Sequence, residues 1–286
     1  MSKATVNAAM GRGSPMLFER TITGRCRFAV LGSSSGGNCS AIVLPESAGG
    51  GVVLIDAGFG PRVLRALLEA AGLGAAAIRA VVLTHLDVDH ANPVFLGGLT
   101  RETPVYIPKR HMGRAQRDGI RPVRLVPFAD DFEAVSGVVF SPVLTHHDSL
   151  GVAAFRVRVN TETGSATLGY ATDIGRPTEE LTAHLRGVEV LAVESNYCPQ
   201  LQRASDRPEF LKQRIMGGSG HLSNQQSAAL AAATGPGRVV LLHLSRQCNT
   251  PERALAAHRE PGLGHGIVVS SPRTPTVWMD FGRPTL

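Results

Sequence analysis

Apolar residues along the chain come in short runs, each stopped by glycine, proline or a charged residue. Runs at 26–31, 40–44, 51–55, 81–83, 105–107, 138–140, 153–159, 168–172, 188–193, 238–242, 267–269 and 277–281 have the length and β-branched content of strands. Four segments carry a helical period instead. In 61–71 the apolar face is Val63, Leu64, Leu67, Leu68 and Ala71, with Pro61 at the first helical position and Gly72 closing it. Thr178 caps 178–185, with Glu179 and Glu180 in the first turn, where the helix dipole favours them. Ser223 and Gln226 have capping-box spacing and Gly235 ends that helix. Thr250-Pro251 opens the last, through about Arg259.

Strands and helices are mixed, without an internal repeat or an obvious linker. The expectation is one α/β domain over 25–286, after a loosely ordered tail over 1–24. The polar run 32–38, rich in serine and glycine, reads as a loop whose backbone N–H groups approach an anion or a metal-bound ligand. It lacks the lysine and the spacing of a P-loop. Chemistry-bearing residues stand just past successive strands: Asp56, His85, Asp173, Glu194 and His243. Sites of open α/β sheets gather at that edge.

Composition adds a bound on partners. The 286 residues carry a formal charge of +6, and 43% of them are hydrophobic, enough for a full core. Arginine dominates the positive charge, which suits an anionic partner such as a polynucleotide. Cys26, Cys39, Cys198 and Cys248 are scattered, with no CxxC pair, so neither a zinc ribbon nor a disulfide framework is indicated. No apolar run approaches the roughly 18 residues of a membrane span. With no signal-peptide pattern at the start, the expected setting is a reducing one, the cytoplasm, with no membrane partner.

The densest chemistry is Thr84-His85-Leu86-Asp87-Val88-Asp89-His90, directly after the apolar run 81–83. Imidazole and carboxylate in this density suit one or two divalent ions. Further on, His146 and His147 are neighbours at a strand end, and strand alternation sends them to opposite faces, so at most one ligates. Asp148 follows and is positioned to anchor a ligand from behind. His184 and His258 fall in helices and read as surface residues.

Taken together, residues 54–58, 84–90, His147-Asp148, 172–175 and 243–245 resemble the five ordered motifs of the metallo-β-lactamase-fold hydrolases. Residues 31–38, Glu194-Ser195-Asn196, 210–215, Gly220-His221-Leu222-Ser223-Asn224 and His243-Leu244-Ser245 followed by Asn249 are similar to the WalJ/YycJ branch, whose members are DNA exonucleases. The resemblance covers about 26–260. It implies a four-layer αββα sandwich with the metal site at the sheet edge. It also implies two divalent ions, zinc or manganese, with iron a further option. The first would be held by His85, Asp87 and His147, the second by Asp89, His90 and His243, with Asp173 between them. Asp56 would orient ligands. Family members usually carry His where this chain has Asp87, and the harder carboxylate favours manganese or iron at the first ion.

On that resemblance, a hydroxide between two ions attacks phosphorus in line. His221 is the expected general acid, with Glu194 holding its charged form, a pairing similar to that of ribonuclease Z. Asp89 belongs to the catalytic set as well as to the second ion. Ser223 and Asn224, at a helix N-terminus, are expected to receive a phosphate. Arg203, Arg207, Lys212 and Arg214 form a candidate phosphodiester track. The expected function is hydrolysis of nucleic acid, DNA above all. The competing readings are a small-molecule hydrolase for a cyclic phosphodiester or lactone, and a nucleic-acid binding module that has lost catalysis.

Overall fold

The computed structural model describes residues 24–120, 124–161, 164–259 and 266–281. The expected tail lies outside the described residues except for Gly24. The first half of the chain builds one sheet and its helices: β1 (Cys26–Ser34), β2 (Gly37–Val43), β3 (Val52–Ile55), α1 (Pro61–Ala70), β4 (Ile78–Val82), α2 (Pro93–Gly97), β5 (Val105–Pro108), α3 (Met112–Arg117) and β6 (Leu125–Phe128). The second half builds another: β7 (Phe132–Val135), β8 (Val138–Thr145), β9 (Val152–Thr161), β10 (Gly164–Ala171), α4 (Glu179–His184), β11 (Val190–Glu194), α5 (Pro199–Ala204), α6 (Glu209–Arg214), α7 (Asn224–Thr234), β12 (Arg238–Leu242), α8 (Pro251–Arg259) and β13 (Ile267–Val269). The last strand, β14 (Met279–Phe281), returns to the first sheet beside β1.

The orders are β14-β1-β2-β3-β4-β5-β6 and β13-β12-β11-β10-β9-β8-β7. In each sheet the strands linked through helices pair in parallel: β3 to β6 in one, β10 to β13 in the other. Their carboxyl ends therefore point one way, as parallel crossover units require.

Alternation along the strands explains the layers. Phe28, Ile42, Val53, Ile55 and Val82 of the first sheet pack against Phe140, Phe155, Leu168, Val240 and Leu242 of the second in one apolar core. The opposite faces carry Leu54, Val81 and Leu83 against Leu64, Leu67 and Leu96 of the first helical layer. On the other side Leu191, Val193 and Leu241 pack against Leu181, Leu230, Ala231 and Ala254. Strands covered on both faces are continuously apolar, which is why β3, β4, β11 and β12 are recognisable as runs rather than alternations. The result is a four-layer αββα sandwich. Among the described residues no helix is long and apolar enough to cross a membrane.

Three expectations are corrected. The run 32–38 is no loop: β1 continues to Ser34 and β2 resumes at Gly37, around the two-residue turn Ser35-Gly36. Asn38 closes this hairpin, its Oδ1 accepting from the Ser33 hydroxyl (2.7 Å) and the Ser34 N–H (3.1 Å). His258 is buried, with Nδ1 2.9 Å from the Ala254 carbonyl and Nε2 3.1 Å from the Ser227 hydroxyl. The final strand starts at Met279, not Val277, which is exposed.

Candidate metal centre

The carboxyl ends of β3, β4, β8, β10, β11 and β12 meet along one edge of the sandwich, and each delivers a polar side chain there. The chain leaves three of these strands by an unusual route. Asp56 (φ 60°), Asp173 (φ 53°) and His243 (φ 54°) are the non-glycine residues with positive φ among those described. Such a conformation costs on the order of 1–3 kcal/mol and persists where the surroundings over-determine it. Here it turns each side chain inward at the strand end.

The segment after β4 is pinned from several sides. The Asn38 N–H and side-chain amide both donate to the Asp89 carbonyl (2.8 and 3.2 Å). The Ala57 N–H donates to the His90 carbonyl (2.7 Å). Gly58 is required beneath it, since a Cβ there would sit 1.7 Å from the Asp89 carbonyl oxygen.

Three histidines of the site have one ring nitrogen fixed from behind. His90 Nδ1 donates to Asp56 Oδ2 (2.7 Å). His85 Nδ1 lies 2.9 Å from the Thr84 hydroxyl, which itself donates to Asp56. His147 Nδ1 donates to the Gly220 carbonyl (2.9 Å). This leaves Nε2 of His85 and His147 facing inward, the arrangement by which outer partners orient metal-ligating imidazoles, and Nε2 of His90 faces the same point 3.0 Å from the Asn38 amide nitrogen. His243 is held through its backbone, its N–H donating to the Ser33 hydroxyl (2.8 Å) and its carbonyl accepting from Asn196 (2.8 Å).

Inward-facing donors form two overlapping sets. His85 Nε2 is 3.6 Å from Asp87 Oδ2, and His147 Nε2 is 3.9 Å from the same oxygen. Asp89 Oδ2 lies 3.7 Å from His90 Nε2 and 3.5 Å from His243 Nε2. Asp173 stands between: Oδ2 is 3.4 Å from His85 Nε2 and 3.2 Å from His90 Nε2, and Oδ1 is 2.9 Å from His243 Nδ1. Donors bound tetrahedrally at about 2.0–2.2 Å sit roughly 3.3–3.6 Å apart. The Nε2 atoms of His85 and His243 are buried without a hydrogen-bond partner, and an unpaired buried donor or acceptor is costly. Both observations fit divalent cations, and the donor sets match groups able to hold a metal ion.

The electrostatics point the same way. Burial opposes charge on His90, yet the Asp173 and Asp56 carboxylates push it up to about 10. Burial likewise opposes charge on His243, which Asp173, Asp89 and Glu194 carry well above the imidazole range. Burial raises Asp173, and the surrounding imidazoles more than reverse it, holding its carboxyl well below the usual range. The pocket stabilises positive charge at its centre.

Beside these sets stands Glu194. Its Oε1 accepts from the N–H groups of Ile174 and Leu222 (both 2.8 Å), and Oε2 from that of Asp173 (3.1 Å). His221 Nδ1 is 3.1 Å from the same Oε2, while the His221 ring stays partly open to a cavity of about 230 Å³. That cavity is lined by Asp87, Asp89, His147, Asp173, His221 and His243, with Arg214 at its rim. His146, the neighbour of His147, is exposed, as alternation requires.

Other expected positions lie elsewhere. Asn224 is buried, donating to Asn249 Oδ1 and accepting from the Ser195 hydroxyl (2.7 Å), so it has no face for substrate. Ser223 is committed to the capping box with Gln226, and the N–H groups of Ser223, Asn224 and Gln226 have protein acceptors, so these three are not free to receive phosphate. Asp148 folds its own turn, Oδ1 accepting from the N–H groups of Leu150 and Gly151 (both 2.8 Å), while its Oδ2 lies 3.9 Å from Nη1 of Arg114, the guanidinium that also holds Asp87. The track breaks up too. Lys212 donates to the Arg203 carbonyl, and Arg207 is tied to Gln202, Ser245 and Gln247. Of that group only Arg214 lines the cavity.

Sequence reading missed Arg114, on α3, whose Nη1 donates to Asp87 Oδ1 (2.7 Å). No spacing rule links residues 27 positions apart on separate elements.

The family model described as beta-lactamase superfamily domain matches residues 52–244, which span every strand end of this edge. The chain belongs to that superfamily. It is a hydrolase of the metallo-β-lactamase fold. Among curated relatives, an exodeoxyribonuclease YycJ of Bacillus anthracis is 26% identical over 266 residues, covering 87% of this chain and 97% of that protein. The fold is shared with YhfI of Bacillus subtilis (TM-score 0.63, 14% identity, 88% of this chain and 99% of that one). It is shared equally with zinc-bound PqqB of Methylobacterium extorquens (TM-score 0.63, 17% identity, 88% and 99%).

Proposed function

We propose that this hydrolase is a metal-dependent phosphodiesterase acting on nucleic acid, a DNA exonuclease. The observation that carries the reading is the His221–Glu194 pair on the wall of the cavity that the metal-ligand candidates also line. The exodeoxyribonuclease named among the relatives supports it.

In this reading His85, Asp87 and His147 hold one divalent ion, Asp89, His90 and His243 another, and Asp173 lies between them. Such ions, when bound, supply an activated nucleophile at neutral pH and neutralise charge developing on phosphoryl oxygens. The chain does the rest. Glu194, immobilised by three N–H groups, holds Nδ1 of His221 and keeps its ring aimed at the cavity. The Nε2 proton of His221 then passes to the departing alkoxide, the general-acid role. Asp89, on the cavity wall, orients the attacking water, and Arg214 at the rim receives a non-scissile phosphate. The Asp87 carboxylate, harder than the imidazole it replaces, favours manganese or iron over zinc at the first ion. Four unpaired, buried cysteines fit a reducing compartment, the cytoplasm.

The test is metal content of protein purified without chelator, then digestion of end-labelled DNA with zinc, manganese or EDTA. About two metals per chain and chelator-sensitive release of short end-labelled products are expected. His221→Ala is expected to lose at least a hundredfold in rate with its metal content intact. Turnover of cyclic phosphodiesters or lactones without action on DNA would replace this reading with the small-molecule one.

A further inference from the structure

The β1–β2 hairpin turn has two sides. Ser35 lines the metal-centre cavity, while Ser34 and Gly36 line a second cavity of about 270 Å³ on the other side of the same turn. Its remaining walls are Phe59, Arg246, Ser271, Pro272 and Arg273.

The pieces come from places that fix them relative to the metal centre. Arg246 follows His243 by three residues at the end of β12, and Ser271–Arg273 follow β13, the neighbouring strand. Ser33 ties the pieces together, its N–H donating to the Ser271 carbonyl (2.9 Å) and its hydroxyl accepting from the His243 N–H (2.8 Å). Gly32 and Gly37 admit the Phe59 ring against the hairpin, since a Cβ at either would meet that ring at 2.9 or 2.4 Å. The floor is therefore rigid.

Its chemistry is one-sided. Among the described residues no carboxylate lines the cavity. Among the described residues neither the Arg246 nor the Arg273 guanidinium has a hydrogen-bond or ion-pair partner. Arg207, by contrast, is tied down by three neighbours. Arg246 Nη1 lies over the turn, 3.6 Å from where a Gly36 side chain would begin. The buried Ser34 hydroxyl accepts from the Gly36 N–H (3.2 Å), which leaves its own proton to donate. Two free guanidinium forks and hydroxyl donors without an acid match phosphate geometry. A volume near the lower end of small-molecule pockets, about 300 Å³, takes roughly one nucleotide.

We propose that this cavity is a phosphodiester subsite, holding the phosphate next to the bond cut at the metal centre, on the opposite flank from Arg214. The proposal rests on the nucleic-acid reading above and adds to it the place of the neighbouring nucleotide.

The test is the Arg246→Gln/Arg273→Gln double variant. Binding of a labelled single-stranded oligothymidylate is followed by fluorescence anisotropy in EDTA across a potassium chloride series. Turnover of the same oligomer and of bis(p-nitrophenyl) phosphate, too small to span both cavities, is measured with metal. The variant is expected to bind about tenfold more weakly, with a salt slope lower by about 0.7 for the one phosphate it no longer neutralises. Its kcat/KM on the oligomer, relative to the small diester, is expected to fall about tenfold. Wild-type affinity and slope in the variant would overturn the subsite alone. An equal loss on both substrates would also overturn it, by assigning the arginines to the metal centre. A wild-type protein that neither binds nor cuts the oligomer would overturn the nucleic-acid reading together with it.

Discussion

Asp87 divides its two oxygens between different partners: Oδ1 accepts from Arg114 Nη1 at 2.7 Å, and Oδ2 faces His85 and His147 at 3.6 and 3.9 Å. Arg114 also reaches Asp118 (3.2 Å), so the guanidinium is anchored at both ends. One carboxylate oxygen is thereby reserved for the site and the other denied to it.

Two effects of removing Arg114 compete. Loss of a nearby positive charge favours cation binding, but the pair is partly exposed and such charges are worth about 0–1 kcal/mol. Loss of orientation costs roughly 10–100-fold in metal affinity when an outer partner is removed. Orientation wins, so Arg114→Gln is expected to weaken metal binding about tenfold in a chelator competition. In an Asp87→His background the same change is expected to have no effect, because no carboxylate remains to be oriented.

Glu194 and His221 are predicted to separate in thermal unfolding. Glu194→Ala leaves three buried N–H groups unpaired, each at about 1–3 kcal/mol. A Tm drop of many degrees is expected. His221→Ala leaves those three bonds in place and is expected to shift Tm by only a few degrees. Equal shifts in the two variants would mean that Glu194 does not organise this corner of the fold.

His258 predicts a pH dependence of stability. Burial pushes it below the ordinary imidazole value of 6.5, more than the Ala254 carbonyl bond raises it. The folded protein therefore binds this proton less readily than the unfolded chain does. The associated stability is present above about pH 6.5 and is lost as pH falls below it. Urea unfolding of the metal-free protein at pH 7.5 and 5.5 is expected to show this loss, and His258→Gln to lessen it.

Gly58→Ala is predicted to disturb metal binding without touching any ligand candidate. A methyl 1.7 Å from the Asp89 carbonyl must displace the segment carrying Asp87, Asp89 and His90. Metal content by mass spectrometry is expected to fall well below that of the wild type, with far-ultraviolet circular dichroism little changed.

Much of this architecture is legible in the sequence because single residues carry it. Ser223, Gln226 and Gly235 bound α7 as their spacing requires, and Thr178 caps α4 through the Leu181 N–H. Strand ends marked by Asp56, His85, Asp173, Glu194 and His243 do share one edge. The failures have a common cause. Ser33, Ser34 and Asn38 are polar but buried, because Ser34 closes the hairpin with Asn38 while Ser33 and Asn38 hold His243 and Asp89 by their backbones. Residue type suggests that Asn224 and His258 are accessible, and tertiary hydrogen bonds bury both. Arg114 needs α3 and the β4 end brought together, and α2, α3, β6 and β7 are too short or too irregular to show a period.

The donors of the candidate metal centre are split between the two halves of the chain, with Asp173 reaching across to His85 and His90. That division sets a timetable during synthesis. A nascent chain exposes His85, Asp87, Asp89 and His90 while the strands bearing their counterparts are still unmade. A domain generally folds as one unit, and the first sheet itself takes in the last strand, β14, beside β1, so the early donors meet their counterparts only late in synthesis. A complete cage waits on His243. Loading with metal is then a closing act of assembly, and a chain interrupted before β12 carries every donor of the set except His243.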